Sequence, residues 1–211
     1  MIINWLGHSF FKIETQGKII AIDPFHEEIV GVKPSRFKAD IVLSTHDHLG
    51  HNNIDLIMGT PFILNTPGEI EINDIFVKGI DTYHDNDEGA KHGKNTIFVI
   101  DSENIQLAYL GDFGEKKIKD DLLEKLGNVD ILLMSIVAKY RTQPIEEAIN
   151  IIKQIQPKII IPMHYSKKED LEKFIKEIGT SPERLEKLNI KRNNISDDED
   201  AQMQLIVLEN N

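Results

Sequence analysis

The chain has 211 residues, no cysteine, and 24 Lys and Arg against 35 Asp and Glu, a formal net charge of −11. That composition excludes disulfides, zinc–thiolate sites and a thiol nucleophile, and it argues against a nucleic-acid partner, because such binders carry a basic patch while these lysines are scattered beside glutamates. No apolar run approaches the roughly 20 residues needed to span a bilayer, and residues 1–7 lack the basic and apolar segments of a signal peptide, so a soluble cytoplasmic protein with no membrane partner is expected.

Short β-branched runs come first. Residues 2–6, 10–14 and 18–22 read as strands, with Gln16-Gly17 as a tight turn between the last two. Further strands are expected over 41–44, 62–65, 76–80, 96–101, 105–110, 131–134, 159–161 and 203–208. A helix is expected over 115–126, stopped by Gly127. Ile145, Ala148, Ile149, Ile152 and Ile155 make an apolar stripe at helical spacing, with Thr142 as its cap and Pro144 in its first turn. A similar stripe over 168–178 stops at Gly179, and Asp197-Asp198-Glu199-Asp200 reads as a solvated turn. No linker, repeat or low-complexity stretch interrupts the chain, so 1–211 reads as one domain of mixed α and β structure, with helices covering both faces of packed sheets. Periodicity alone leaves the choice of layered fold open.

The histidines are placed less evenly. His46, His48 and His51 fall within six residues, directly after the apolar run Ile41-Val42-Leu43. His84 follows the run ending at Ile80, Asp112 follows Ala108-Tyr109-Leu110-Gly111, and His164 follows Ile159-Ile160-Ile161-Pro162-Met163. Each lies just past the C-terminal end of a predicted strand, where loops on one sheet edge can converge. A lone buried histidine is usually a hydrogen-bonded core residue, but this concentration points to a metal site. Without cysteine, the ion must be held by imidazole and carboxylate, which suit zinc, manganese or iron. A bound ion lowers the pKa of water from about 15.7 to about 7 and polarises a carbonyl or phosphoryl group, so no serine or cysteine nucleophile is needed. His26 and His92 have no such support and read as surface residues.

The pattern His46-x-His48-x-x-His51, then His84, Asp112 and His164, resembles the metallo-β-lactamase superfamily. It is most similar to the small bacterial zinc-dependent hydrolases related to ascorbate-6-phosphate lactonase. Supporting segments are Trp5-Leu6-Gly7-His8-Ser9, Asp23-Pro24-Phe25, Gly93-Lys94-Asn95-Thr96, Leu110-Gly111-Asp112, Val129-Asp130-Ile131 and Pro162-Met163-His164-Tyr165, and the likeness covers about residues 1–165. The resemblance implies an α+β, four-layer αββα sandwich with a metal cleft along one edge. It implies that His46, His48 and His84 hold one ion, that Asp112 bridges to a second, and that His51 and His164 serve that second ion. Asp112 and His51 are its implied catalytic residues, zinc its implied cofactor, and a small molecule its implied substrate. Asp23 either steadies the histidine loop through hydrogen bonds or simply turns the chain before Pro24. His8 either faces the cleft or is a hydrogen-bonded hairpin residue.

The pattern also breaks. The family motif is H-x-H-x-D-H, and Gly50 stands where the aspartate belongs. Asp47, Asp85 and Glu115 are candidate replacements. Phe113-Gly114-Glu115 stands for the usual Leu-Gly-His, Val137 and Ala138 for paired glycines, and Tyr109 for a common histidine. Two functions therefore compete: a hydrolase attacking a small ester, lactone or phosphodiester with metal-bound hydroxide, and a non-catalytic relative that keeps metal or ligand binding. A nuclease is a third reading, opposed by the acidic charge.

Overall fold

The computed structural model describes residues 1–136, 145–165, 167–198 and 201–209. In chain order the elements are β1 (Ile2–Trp5), β2 (Phe11–Thr15), β3 (Lys18–Ile22), the one-turn helix α1 (Glu27–Val30), β4 (Ile41–Leu43), β5 (Phe62–Leu64), β6 (Gly68–Ile72), β7 (Ile75–Tyr83), β8 (Lys94–Ser102) and β9 (Ile105–Tyr109). They continue with α2 (Asp120–Leu126), β10 (Ile131–Ser135), α3 (Ile145–Ile155), β11 (Ile159–Met163), α4 (Lys168–Ile178), β12 (Pro182–Leu185), β13 (Leu188–Asn189) and β14 (Gln204–Leu208).

Two sheets result, ordered β13-β1-β2-β3-β4-β5 and β12-β14-β11-β10-β9-β8-β7-β6. The β2–β3 hairpin forms as expected, because Gln16 (φ 49°) and Gly17 (φ 68°) both take the left-handed conformation that a two-residue hairpin turn demands. In β2, Phe11, Ile13 and Thr15 alternate inward, whereas β10 and β11 are buried at every position, as parallel strands covered on both faces must be.

The inner faces share one apolar interior. Ile3, Phe11, Ile13, Ile22 and Leu43 of the first sheet meet Val77, Phe98, Leu107, Leu133 and Ile161 of the second. The outer face of the second sheet packs under α2, α3 and α4 through Leu122, Leu126, Ile149, Ile152, Leu171 and Phe174. The outer face of the first is covered more thinly, by Phe25, Phe37 and Ile57 from connecting loops over Phe10, Ala21 and Val42. This is the αββα order with one outer layer reduced: on the first sheet, among the described residues, only Val30 of the one-turn α1 represents an α-helix beside those loops. Among the described residues no helix is long and apolar enough to cross a membrane.

Several local expectations are corrected. The helix expected from residue 115 starts only at Asp120, since Lys116 N–H donates to Asn86 Oδ1 (2.7 Å) and Ile118 N–H to Gln154 Oε1 (3.0 Å). Distant side chains there supply partners that a first helical turn would leave unsatisfied. The strands β6, β12 and β13 were not expected; they lie at or near sheet edges and carry outward polar residues such as Glu69, Glu71 and Glu183. Thr142, Pro144, Val137, Ala138, Glu199 and Asp200 lie outside the described residues.

Asp40 clamps the start of β3. Its Oδ2 accepts from Ile19 N–H and its Oδ1 from Lys18 Nζ, both at 2.9 Å. The Ile19 amide first, and Lys18 second, hold its carboxyl below the usual value. Because the side chain is 37% exposed, the clamp stabilises by less than about 1 kcal/mol. A depressed carboxylate contributes fully above its unfolded value of about 3.9 and loses that contribution as pH falls through its lower folded value. Thermal melts of Asp40→Ala should therefore fall slightly below wild type at pH 7, and the gap should narrow below about pH 4.

Candidate metal centre

The loops after β3, β4, β7, β9 and β11, with the β1–β2 hairpin, meet at one edge of the sandwich. After β4, Ser44 Oγ donates to His51 O (3.0 Å) and His51 N–H to His48 O (2.8 Å), coiling the loop so that its three imidazoles stand together. The His46 ring centroid lies 4.5 Å from that of His48, 4.1 Å from His51 and 4.8 Å from His84. Asp112 Oδ2 is the point of convergence: His51 Nε2 and His84 Nε2 lie 3.3 Å from it, and His164 Nε2 3.6 Å. The six residues expected to gather here do so. Among the described residues, ligand atoms within 4.8 Å of one another define three candidate metal-holding groups: His46, His48 and His84; His46, His51 and Asp112; and His8, His51 and His164.

Asp23 holds this arrangement from behind. It is fully buried, and its carboxylate accepts from Thr45 N–H (2.7 Å), Thr45 Oγ1 (2.8 Å), His51 Nδ1 (2.8 Å) and Tyr109 Oη (2.8 Å). Of the two readings of Asp23, hydrogen bonding to the histidine loop is what the geometry displays, and Tyr109 fills the place of the usual histidine as one of its donors. The Thr45 hydroxyl proton is committed to Asp23, so Thr45 Oγ1 can only accept from His46 Nδ1 at 2.9 Å. That fixes the tautomer. His46 Nε2 is left without its proton, and it is buried with no hydrogen-bond partner.

Two further residues position Asp112 and were not singled out from the sequence. Asn95 Oδ1 accepts the Asp112 backbone N–H (3.0 Å), and Ser135 Oγ donates to Asp112 Oδ1 (3.0 Å). Gly111 leaves room for Asn95 and for Thr45: a Cβ there would sit 2.6 Å from Asn95 Oδ1 and 2.8 Å from Thr45 Cγ2.

Electrostatics sorts the histidines. Burial first, then the neighbouring imidazoles, lowers His46 and His48, and brings His8 down to about 2. Burial also opposes charging His51, but Asp112 and Asp23 on either side outweigh it and raise that imidazole to about 10. Asp112 stays ionised well below the usual range despite its burial, because His164 and His51 face it. Neutral His8, His46 and His48 beside an ionised carboxylate are the ligand forms that a divalent cation requires, and His51 would give up its proton on binding one. The buried, unpartnered, deprotonated Nε2 of His46 fits such an ion.

The other carboxylate candidates join none of these groups. Asp85 spends its carboxylate on the backbone N–H groups of Asp87, Gly89, Lys91 and His92 (2.8–3.0 Å), which folds the loop after His84. Glu115 pairs with Lys119 at 2.7 Å, and exposed Asp47 accepts from Asn52. None of the three has a carboxylate in the candidate metal-holding groups, although Asp47 lines the cavity beside His46 and His48. His92 is corrected: it is half-buried, its ring lies 5.3 Å from that of His84, and it lines the cleft. His26 stays apart, half-buried before α1. His8 faces the cleft, 3.8 Å from His164 between ring centroids, while its backbone carbonyl accepts from Trp5 Nε1 (2.9 Å) and His164 N–H (3.0 Å). Beside His46 and His48 opens a cavity of about 390 Å³, also lined by Asn65, His92 and Lys94. That is the size of a small-molecule site.

Comparison with known proteins agrees with this geometry. Residues 2–164 match a family described as the beta-lactamase superfamily domain. A UPF0173 metal-dependent hydrolase of Staphylothermus marinus is 31% identical over 86% of this chain and 92% of its own length. A Thermotoga maritima structure, provisionally described as a zinc-dependent hydrolase of the metallo-beta-lactamase superfamily, is 28% identical, covers 98% of this chain and 97% of its own, and has a TM-score of 0.76. The fold also extends to an isothiocyanate hydrolase from Delia radicum gut bacteria, 14% identical over 90% of this chain and 99% of that one, with a TM-score of 0.64. None of these relatives is named as an ascorbate-6-phosphate lactonase, so that narrower likeness stays with the motifs. On its fold, its family match and its relatives, the chain belongs to the metallo-β-lactamase superfamily.

Proposed function

We propose that the chain is a metal-dependent hydrolase that attacks a small ester, lactone or phosphodiester in the cavity beside His46 and His48. The observation that carries this reading is the buried, deprotonated Nε2 of His46, unpartnered within a cluster of imidazoles around the ionised Asp112. His46, His48 and His84 would hold one ion, His51 and His164 a second, and Asp112 would lie between them. Zinc is the favoured metal, with manganese or iron as alternatives for the same donors. A divalent ion there supplies Lewis acidity and makes water a nucleophile near neutral pH.

The chain's own residues do the rest. Asp23, through His51 Nδ1, fixes which nitrogen His51 turns towards Asp112. Asp112 Oδ2, central among the imidazoles, would be the acceptor for a proton from the attacking water, and Ser135 and Asn95 keep it aimed. The cavity is open at His48 and closed at His46, so substrate would enter past the exposed imidazole. Residues 1–211 would work as one domain, in a reducing cytoplasm that the absence of cysteine suits. The names of the Staphylothermus and Thermotoga relatives support hydrolysis.

The test is a panel of chromogenic esters, lactones and phosphodiesters offered to zinc- or manganese-loaded protein. Turnover of at least one class is expected, falling at least about 100-fold on dialysis against a chelator and returning with the ion. Inertness of fully loaded protein across the panel would favour the binding-only relative that Gly50 suggests.

A further inference from the structure

We infer that His8 takes the place of the missing aspartate, so that the second ion is held by His8, His51 and His164 beside Asp112. This rests on the metal-site reading above. A Cβ built on Gly50 would sit 2.8 Å from His8 Nε2 and 3.5 Å from His8 Cδ2. The imidazole thus stands where a side chain at position 50 would begin. An aspartate at 50 would have to push the His8 ring out of this position, and the glycine leaves it in place.

The hairpin is built onto the histidine loop at that very residue. Ser9 Oγ donates to Gly50 O at 3.1 Å, and the His8 carbonyl accepts the His164 N–H, tying the backbones of two members of the trio together. His8 itself is held at φ 53° and His164 at φ 60°, both in the left-handed region that non-glycine residues adopt at some cost. Phe25 meets the His8 ring edge-on, centroids 6.0 Å apart, limiting where it can turn. The ligand nitrogens of His8, His51 and His164 lie within 4.8 Å of one another. Two nitrogens on one zinc ion can be no more than about 4.2 Å apart at bond lengths near 2.1 Å. Binding an ion would draw the three rings together by that difference.

The exchange has a chemical consequence. A neutral imidazole in place of a carboxylate removes one negative charge from the second site and turns it towards nitrogen-preferring ions. It should select zinc over manganese more strongly than a site with the aspartate.

Zinc content after gel filtration, and stepwise zinc affinity by competition with a chromogenic chelator, test this on the full chain. Wild type, His8→Ala, Gly50→Asp and the double variant are compared, with manganese competition run on each. Wild type should bind two zinc ions. Loss of an outer partner alone costs about 10–100-fold in metal affinity, so His8→Ala should weaken the second ion by at least about 100-fold and leave the first unchanged. Gly50→Asp with His8 in place should also weaken it, while the double variant should recover affinity and bind manganese relatively better. The double variant also shows that loss in His8→Ala is not misfolding. Two ions held by His8→Ala at wild-type affinity would overturn the role of His8 alone. A wild type that binds a single ion would do the same, and one that binds none would overturn the metal reading with it.

Discussion

Replacing Gly114 by alanine is expected to break the corner that carries His84 and to strip the first metal site of one of its imidazoles. A Cβ at 114 would run into the His84 carbonyl oxygen and the Asp85 nitrogen. These are backbone atoms, which cannot swing aside as a side-chain tip can. The two segments are already joined, Gly114 N–H donating to Tyr83 O at 2.9 Å. Overpacking a core usually costs about 1–3 kcal/mol, and contact with backbone puts this case at the upper end. For a chain of this size, about 3 kcal/mol corresponds to a fall in Tm of roughly 6–12 °C. Because the shift must pass through His84, zinc should restore less of the lost stability in Gly114→Ala than it adds to wild type. Thermal melts with and without zinc measure both quantities, and a variant melting within a degree or two of wild type would contradict the packing described.

Asp23→Asn should be nearly as damaging, by a different route. The carboxylate accepts four hydrogen bonds, three of them at Oδ2 from Thr45 Oγ1, His51 Nδ1 and Tyr109 Oη. An amide keeps the shape but cannot accept them all. Either its NH₂ group faces Thr45 Oγ1, His51 Nδ1 and Tyr109 Oη, or it faces the Thr45 N–H. Breaking a buried charged network of this kind costs about 3–5 kcal/mol. His51 then loses the partner that turns its Nε2 towards Asp112, so the affinity for the second ion should fall about 10–100-fold while the first is affected less. Tyr109→Phe removes only one donor and should cost about 1 kcal/mol. Equal losses in both variants would mean that Asp23 acts through packing and not through its hydrogen bonds.

The site was legible in the sequence to the extent that its residues are local or terminate strands. His46, His48 and His51 share one coiled loop, and His84, Asp112 and His164 each follow an apolar strand, so chain order alone announced them. Asn95 and Ser135 could not be read this way. They act on Asp112 from 17 and 23 residues away through single hydrogen bonds, and no spacing encodes such a contact. His8 was ambiguous for a further reason: its meaning depends on the absence of a side chain at Gly50, in a loop that only the fold brings near. His92 looked unsupported because its position follows from the loop wrapped around Asp85.

The fold shows the same division. Strands that feed the shared interior, such as β8, β10 and β11, were visible because burial on both faces demands continuous apolar runs. β6, with Glu69 and Glu71 alternating outward, and β12, with Pro182 and Glu183, carry little apolar signal because an edge needs little. The segment 115–119 misled in the opposite sense. Its composition favours a helix, but Asn86 and Gln154 capture its amides across the fold.

The most direct test of the account is anomalous diffraction at the zinc edge from crystals of the full chain grown with zinc. Anomalous peaks are expected on both sides of Asp112, one against His46, His48 and His84 and the other against His8, His51 and His164. Absence of any peak in this cluster, in crystals where zinc binds elsewhere on the surface, would contradict the claim that these histidines form a metal centre.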